Sequence, residues 1–366
     1  MSKIRIHLIA AARPNFMKVA PLFHALRSEP WAETRIVHTG QHYDPNMSAA
    51  FFRDLRLPDP DIHLGIGSGT HAHQMGGVMQ AYEETCAREQ PDWIVVVGDV
   101  NSTAACAIVG AKAWIPVIHL EAGLRSRDRR MPEEINRLVT DAIADVLWTP
   151  SLDANENLRA EGVPDSRIDF VGNIMIDSFE MLRDRIESDT TSSSLMPQDE
   201  PFGVVTLHRP SNVDQRGMLE CIVDSLIEVG RRLRLAFPVH PRTRRRLEEF
   251  GLLSRLEACP RVVLLEPLGY IAFMNLVTRA HAAITDSGGI QEETTYLSIP
   301  CLTLRDTTER PITVTHGTNR LVESHQLASA IDEVLGGHWP RPPPPMLWDG
   351  RTASRCAAAL RVRAGV

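Results

Sequence analysis

The chain has 366 residues, with 39 Lys+Arg against 46 Asp+Glu, so its formal net charge is −7. Hydrophobic residues make up 43% and charged residues 23%, which excludes a disordered chain and supplies apolar surface for about two ordinary domains. A charge of −7 with a pI near 6.1 argues against broad nucleic-acid or anionic-membrane binding, so any anionic ligand must be held by a few local cations.

The first apolar run, residues 4–9, is interrupted by His7 and followed at once by Arg13-Pro14, which reads as a first strand rather than a secretory leader. A helical pattern covers 15–29, with Phe16, Val19, Leu22, Phe23 and Leu26 on one face. A strand at 34–38, a helix near 45–55 and a long helix near 72–90 follow. Residues 93–98 form a continuous apolar run ending in Asp99, and 115–120 form another ending in Glu121. Continuous apolar strands joined by helical crossovers imply a parallel sheet buried on both faces.

The pattern restarts after Gly172, and the polar stretch 188–201 is the best linker candidate. Strands are expected again at 202–207, 235–239, 261–265, 282–285 and 300–304, with helices between them. The fold class is therefore α/β, with two successive doubly wound halves. The expected boundaries are 1–175, a linker at 176–201, a second domain at 202–345, and a terminal helix within 346–366 that packs back on the first domain. Six dispersed cysteines without a CxxC pair fit a reducing, cytoplasmic setting and point to neither a zinc site nor a redox dithiol. No run of about 18 apolar residues is present, so no membrane span is expected.

Open parallel sheets bind ligands outside the carboxyl ends of their strands. Asp99 and Glu121 stand there. A helix cap or a buried ion pair would account for either acid alone, but two on neighbouring strand ends favour acid/base work. The tract after Glu121 adds a turn glycine and Arg125, which can hold a carboxylate. Pro132 followed by Glu133 and Glu134 is a good helix start, or a third acid for the same crevice.

In the second half, two strands end in His208-Arg209 and in His240. No metal-ligand spacing accompanies these histidines, so no metal is expected. The tract Thr285-Asp-Ser-Gly-Gly-Ile-Gln-Glu-Glu293 reads as strand, small turn and helix. Backbone N–H groups of Ser287, Gly288 and Gly289 suit phosphate oxygens, and Glu293, a turn later, suits a ribose. Arg13, Lys18 and Arg310 follow strand ends and are candidate diphosphate clamps. There is no GxxxxGK[ST] loop, and Gly65-Ile-Gly-Ser-Gly69 lacks the strand a dinucleotide fingerprint needs, so no bound cofactor is expected.

Taken together, the chain resembles the non-hydrolysing UDP-N-acetylglucosamine 2-epimerases. The resemblance rests on Arg13-Pro-Asn-Phe-Met-Lys18, Thr39-Gly-Gln-His42, Gly98-Asp-Val-Asn-Ser-Thr103, His119-Leu-Glu-Ala-Gly-Leu-Arg125, Pro132-Glu-Glu-Ile-Asn-Arg137, His208-Arg209, Asp286-Ser-Gly-Gly-Ile-Gln-Glu-Glu293 and Arg305-Asp-Thr-Thr-Glu-Arg-Pro311. It implies two Rossmann-like domains facing a central cleft, as in GT-B glycosyltransferases, a UDP-sugar as ligand and a homodimer. It also implies C2 epimerisation of UDP-N-acetylglucosamine to UDP-N-acetylmannosamine through a 2-acetamidoglucal, for cell-surface polysaccharide precursors. Asp99, Glu121, Glu133 and His208 become the acid/base candidates. Arg13, Lys18, Arg209, His240, Phe273, Ser287, Gly288, Gly289, Glu293 and Arg310 become the substrate contacts, with Phe273 at the uracil. Departures occur at Ala11-Ala12, where the family carries Gly-Thr, and after Gln41-His42, where a second Gln is absent. The loop 65–73 also lacks the expected Arg, so the expectation of a second, activating UDP-sugar site is weakened. A diacetamido uronic acid epimerase, a hydrolysing epimerase and a GT-B glycosyltransferase are the alternatives.

Overall fold

The computed structural model describes residues 3–11, 13–40, 52, 54–197 and 199–366, without the side chains of residues 13 and 14. The chain divides into two compact units, Met1–Met181 with Met346–Val366, and Leu182–Pro345.

The first unit is built on β1 (Ile4–Ala10), β2 (Ala32–His38), β3 (Ile62–His63), β4 (Trp93–Val97), β5 (Val117–Leu120), β6 (Val146–Thr149) and β7 (Ile168–Phe170). They form a seven-stranded sheet in the order β3-β2-β1-β4-β5-β6-β7. Every ladder is parallel, with Val97 opposite Leu120 at the ends of β4 and β5. β5 and β6 are buried along their whole length, because helices cover both faces. The order reverses between β1 and β4, which is where a parallel sheet opens a crevice at its carboxyl edge.

The second unit holds β8 (Phe202–Thr206), β9 (Arg234–Pro238), β10 (Val262–Leu265), β11 (Ala282–Thr285), β12 (Cys301–Thr303) and β13 (Asn319–Leu321). Their order is β10-β9-β8-β11-β12-β13, again all parallel, with the switch between β8 and β11. Helix Arg216–Gly230 buries Leu219, Ile222, Val223, Leu226 and Val229 at helical spacing against this sheet. Each such side chain contributes about 1.5–3 kcal/mol through burial. Both sheets therefore have the Rossmann-like doubly wound topology that the apolar runs imply.

The stretch read as a connector is largely helical, over Ile174–Ser188 and Thr191–Leu195. Buried Asn275 organises it, accepting from Ser192 N at 2.8 Å and donating to the carbonyls of Ile186 (2.8 Å) and Asp189 (2.9 Å). The terminal helix Thr352–Ala364 belongs to the first unit. Its first N–H groups have no side-chain cap of their own; Asp177 accepts from Thr352 N at 3.0 Å and Ala353 N at 2.7 Å. Just before it, Trp348 Nε1 donates to the Pro150 carbonyl at 2.9 Å. Gly172, at φ +93°, lets this segment approach: a Cβ there would meet the Leu347 carbonyl at 2.3 Å. Among the described residues no helix is long and apolar enough to cross a membrane.

Candidate active site

Asp99 and Glu121 lie on neighbouring strand ends, two residues past β4 and one past β5. Glu121 takes a left-handed backbone, φ +73°, and its side chain is only 3% exposed. Its Oε2 pairs with Lys18, which helix Arg13–Arg27 brings in from the end of β1. Glu121 Oε1 is buried and has no hydrogen-bond partner among the described residues. Gly98, at φ +68°, clears the space: a Cβ there would stand 3.3 Å from Lys18 Nζ and 3.4 Å from Glu121 Oε2. Asn15 closes this corner by donating to the Val97 carbonyl at 2.9 Å.

Asp99 is more open, with its side chain 31% exposed, and it pairs with the buried Arg137. Arg137 comes from helix Pro132–Ile143 and also holds Glu134 at 2.7 Å. Glu134 accepts from Ser126 N, Ser126 Oγ and Arg127 N, each at 2.9 Å. Burial alone would raise its carboxyl, but Arg137 and the two backbone donors hold it below the usual range. Asn136, on the same helix, donates to the Asp99 carbonyl at 2.9 Å.

In the second unit, fully buried Asp286 collects the ends of β8 and β11. Its carboxylate accepts from His208 N at 3.0–3.1 Å, Arg209 N at 2.9 Å and Asn212 Nδ2 at 3.2 Å, and pairs with His208 Nδ1 at 2.9 Å. These partners overcome the effect of burial and keep the Asp286 carboxyl below its ordinary value. With Nδ1 committed, the His208 ring, 43% exposed, presents Nε2 outward. The His240 ring lies 5.7 Å from it. His240 Nδ1 accepts from Arg242 N at 3.2 Å and so caps helix Pro241–Glu249; burial and the neighbouring His208 lower its pKa. A cavity of about 240 Å³ is lined by His208, His240, Pro267, Leu268, Phe273 and Ser287.

The turn Ser287-Gly288-Gly289 opens helix Gly288–Tyr296, and the Ser287 hydroxyl does not cap it. Its two glycines do different work. A Cβ at Gly288 would meet Arg310 Nη1 and Glu309 Oε1, each at 2.6 Å, whereas a Cβ at Gly289 would point into open space. Arg310 is held at this helix start between Glu309 (2.5 Å) and Glu292 (2.8 Å). Burial and the nearby Glu292 push the buried Glu293 carboxyl up to about 7, although the Tyr270 hydroxyl donates to it at 2.7 Å. Larger cavities lie elsewhere in the unit; one of about 520 Å³ lies by the amino ends of β8 and β11, among Ser192, Met196, Arg279 and His281.

The structure thus groups Lys18, Glu121, Asp99 and Arg137 at one sheet edge. It groups His208, Arg209, His240, Phe273, Ser287, Gly288, Glu293 and Arg310 around the other. Glu133 is exposed and, among the described residues, takes part in no ion pair, whereas Glu134 is the buried member of that acid pair. Arg125 holds Asp141 and Glu161 rather than either strand-end acid. Arg209 turns inward, donating from Nε to the Asp286 carbonyl oxygen at 2.9 Å. The Arg13 side chain lies outside the described residues, as do Gln41, His42 and residues 45–51 and 53 of the helix expected near 45–55. Sequence reasoning gave Asp286 and Arg137 no role of their own; their only signal was membership of the Asp286–Glu293 and Pro132–Arg137 tracts.

A family model described as UDP-N-acetylglucosamine 2-epimerase matches residues 24–361. The enzyme of that name from Methanocaldococcus jannaschii is 40% identical over 348 residues, 93% of this chain and 95% of its own. A UDP-2,3-diacetamido-2,3-dideoxy-D-glucuronate 2-epimerase of Pseudomonas aeruginosa is 40% identical over 322 residues, 87% of this chain and 88% of its own. The solved structure of the Methanocaldococcus jannaschii UDP-GlcNAc 2-epimerase, in complex with UDP-GlcNAc and UDP, matches with a TM-score of 0.88 at 38% identity and covers 98% of this chain and 100% of that one. Two parallel switch-point sheets, acids on adjacent strand ends and a glycine-opened helix thus accompany full-length similarity, and the chain belongs to the UDP-N-acetylglucosamine 2-epimerase family.

Proposed function

We propose that this protein interconverts UDP-N-acetylglucosamine and UDP-N-acetylmannosamine by eliminating and re-adding UDP. The observation that carries this reading is the pair of differently held acids just past β4 and β5: Asp99 half-open on Arg137, Glu121 buried on Lys18. Inverting C2 removes a proton that no carbonyl acidifies. Loosening the C1–O bond first gives C1 cationic character. A base then takes the C2 proton, the C–H electron pair becomes the C1=C2 bond, and the C1–O pair departs with UDP. For return, a proton is delivered to the other face of C2 and a UDP oxygen rebuilds the C1–O bond. Two faces require more than one acid/base group. Asp99 is the base in this reading, and Glu121 and Glu133 complete the set.

The departing diphosphate needs fixed donors. In the second unit the Ser287–Gly289 amides and Arg310 are such donors, His208 Nε2 is a proton-transfer group, and Phe273 and His240 border the uracil and diphosphate; Arg13 and Lys18 are the first unit's candidate cations. Glu293 takes the ribose hydroxyls. The enzyme works as a cytoplasmic homodimer; the free thiols at all six cysteines fit a reducing compartment.

Proton NMR of UDP-GlcNAc with the protein in deuterated water tests this reading. UDP-ManNAc deuterated at C2 is the expected product, and an unchanged spectrum refutes it. Free UDP with free ManNAc would mark a hydrolysing enzyme instead. The equal 40% identity to the Pseudomonas aeruginosa diacetamido-glucuronate enzyme favours one second reading, a substrate with an acetamido group at C3 and a carboxylate at C6. The same experiment with that sugar nucleotide decides between the two.

A further inference from the structure

The geometry points to His119 as a charged clamp that positions the turns carrying both strand-end acids. His119 is on β5, fully buried, one layer beneath the reacting edge. Its Nδ1 is 2.5 Å from Asp141 Oδ1 and its Nε2 is 2.8 Å from the Gly98 carbonyl oxygen. That carbonyl belongs to the peptide leading into Asp99. Asp141 Oδ2 accepts in turn from Gly123 N at 3.0 Å, two residues past Glu121. One His–Asp pair therefore pins the turn after β4 and the turn after β5.

The hydrogen-bond roles fix its charge. The Gly98 carbonyl can only accept, so Nε2 donates. Asp141 also takes Arg125 Nη1 at 2.7 Å, and it is an acceptor throughout, so Nδ1 donates as well. Burial alone would raise the Asp141 carboxyl, but His119 and Arg125 hold it below its usual range. A ring donating from both nitrogens is an imidazolium. The cluster closes electrically through Arg125, which grips Glu161 at 2.6 and 2.8 Å, and the Glu161 side chain, 39% exposed, reaches the surface. Two cations and two anions cancel, so the buried charges are paired and hydrogen-bonded. The turns they hold have little freedom of their own. Gly98 and Gly123 have φ of +68° and +81°, and a Cβ on Gly123 would meet the Ala154 carbonyl oxygen at 2.5 Å.

His119 touches no reacting atom in this arrangement; it acts through Gly98 and is a positioning residue. Its kinetic consequences rest on the proposed epimerase function, whereas its charge state does not. The amide nitrogen of Asn reaches the place of Nδ1, and that of Gln the place of Nε2. His119→Gln keeps a donor for Gly98 and should retain kcat within about tenfold; His119→Asn lets the Gly98 peptide go and should lose about 10²-fold. KM and the affinity for UDP should stay within about twofold in both, since misplacement of the acids harms the chemical step and not nucleotide holding. Equal losses in the two variants, or a loss lodged in KM, would overturn the assignment. Nitrogen NMR of the wild-type ring is the second measurement and covers a variant that fails to fold. Protons on both nitrogens are expected, and a bare nitrogen at either position would overturn the clamp. If the wild type leaves UDP-GlcNAc unchanged, the proposed function fails while the ring spectrum still decides the clamp.

Discussion

Asp286→Asn is the most discriminating substitution in the second unit. Oδ2 faces three donors, His208 N at 3.0 Å, Arg209 N at 2.9 Å and Asn212 Nδ2 at 3.2 Å. Oδ1 faces His208 N at 3.1 Å, which Oδ2 also serves, and His208 Nδ1 at 2.9 Å. An amide NH₂ at the Oδ2 place would oppose three donors, so it takes the Oδ1 place and donates to Nδ1. The ring proton must then move to Nε2, reversing the tautomer. Most of the hydrogen bonds survive, and stability should fall by no more than about 2 kcal/mol, one charge-assisted bond. Catalysis should fall much further, by about 10²–10⁴, the usual worth of a positioned proton-transfer group. Rates from proton NMR, UDP binding by calorimetry and a melting curve on one preparation separate these effects. A folded Asp286→Asn enzyme with kcat within about threefold of wild type would show that the ring's tautomer has no part in the chemistry.

Four further expectations concern Glu293, Lys18 and Asp177. Because the Glu293 carboxyl is raised to about 7, affinity for UDP-GlcNAc should drop about tenfold between pH 8 and pH 6, and Glu293→Gln should bind weakly at both. A raised folded pKa means that Glu293 favours folding most below its unfolded value and loses that contribution as pH rises through about 7, so Glu293→Gln should be more stable at pH 8, by up to about 3 kcal/mol in denaturant titration. Lys18→Met strands the buried Glu121 carboxylate and should cost about 3–5 kcal/mol, recovered in the Lys18→Met/Glu121→Gln double variant. Asp177→Ala uncaps the terminal helix at Thr352 and Ala353 and should cost about 2 kcal/mol, seen as faster proteolysis of the last residues.

The sheets were largely legible because their central strands are unbroken apolar runs. β11 is found at 282–285 as expected, and β4 and β8 within a residue at either end. Residues 168–170 and 319–321 were missed because each is three residues long with a charged residue in it, Asp169 and Arg320, and residues 146–149 because only Ala144 and Asp145 separate that run from the preceding helix. Within the stretch read as a connector, a Ser/Thr-rich composition hides a short helix whose N–H at Ser192 is satisfied by Asn275, far away in sequence. Among the candidate site residues, the strand-end rule placed Asp99, Glu121 and His208 just past buried strands, where the structure has them, since such a position follows from local pattern alone. It could not choose between Glu133 and Glu134, which share a helix turn and differ in whether Arg137 and the Ser126 turn reach them. Nor could it give Asp141, Arg137 or Asp286 a part, because their roles exist only through partners brought in by the sheet.

The first unit is discontinuous: it is opened by Met1–Met181 and finished by Met346–Val366, with Leu182–Pro345 between. During synthesis residues 182–345 are therefore translated before the first unit receives the helix Thr352–Ala364. Until Thr352 and Ala353 leave the ribosome, Asp177 has no N–H groups to receive, and the surface on which that helix will lie stays open. The first unit therefore cannot be completed until the whole of the second has been translated, and a frameshift anywhere within Leu182–Pro345 also costs the first unit its last helix.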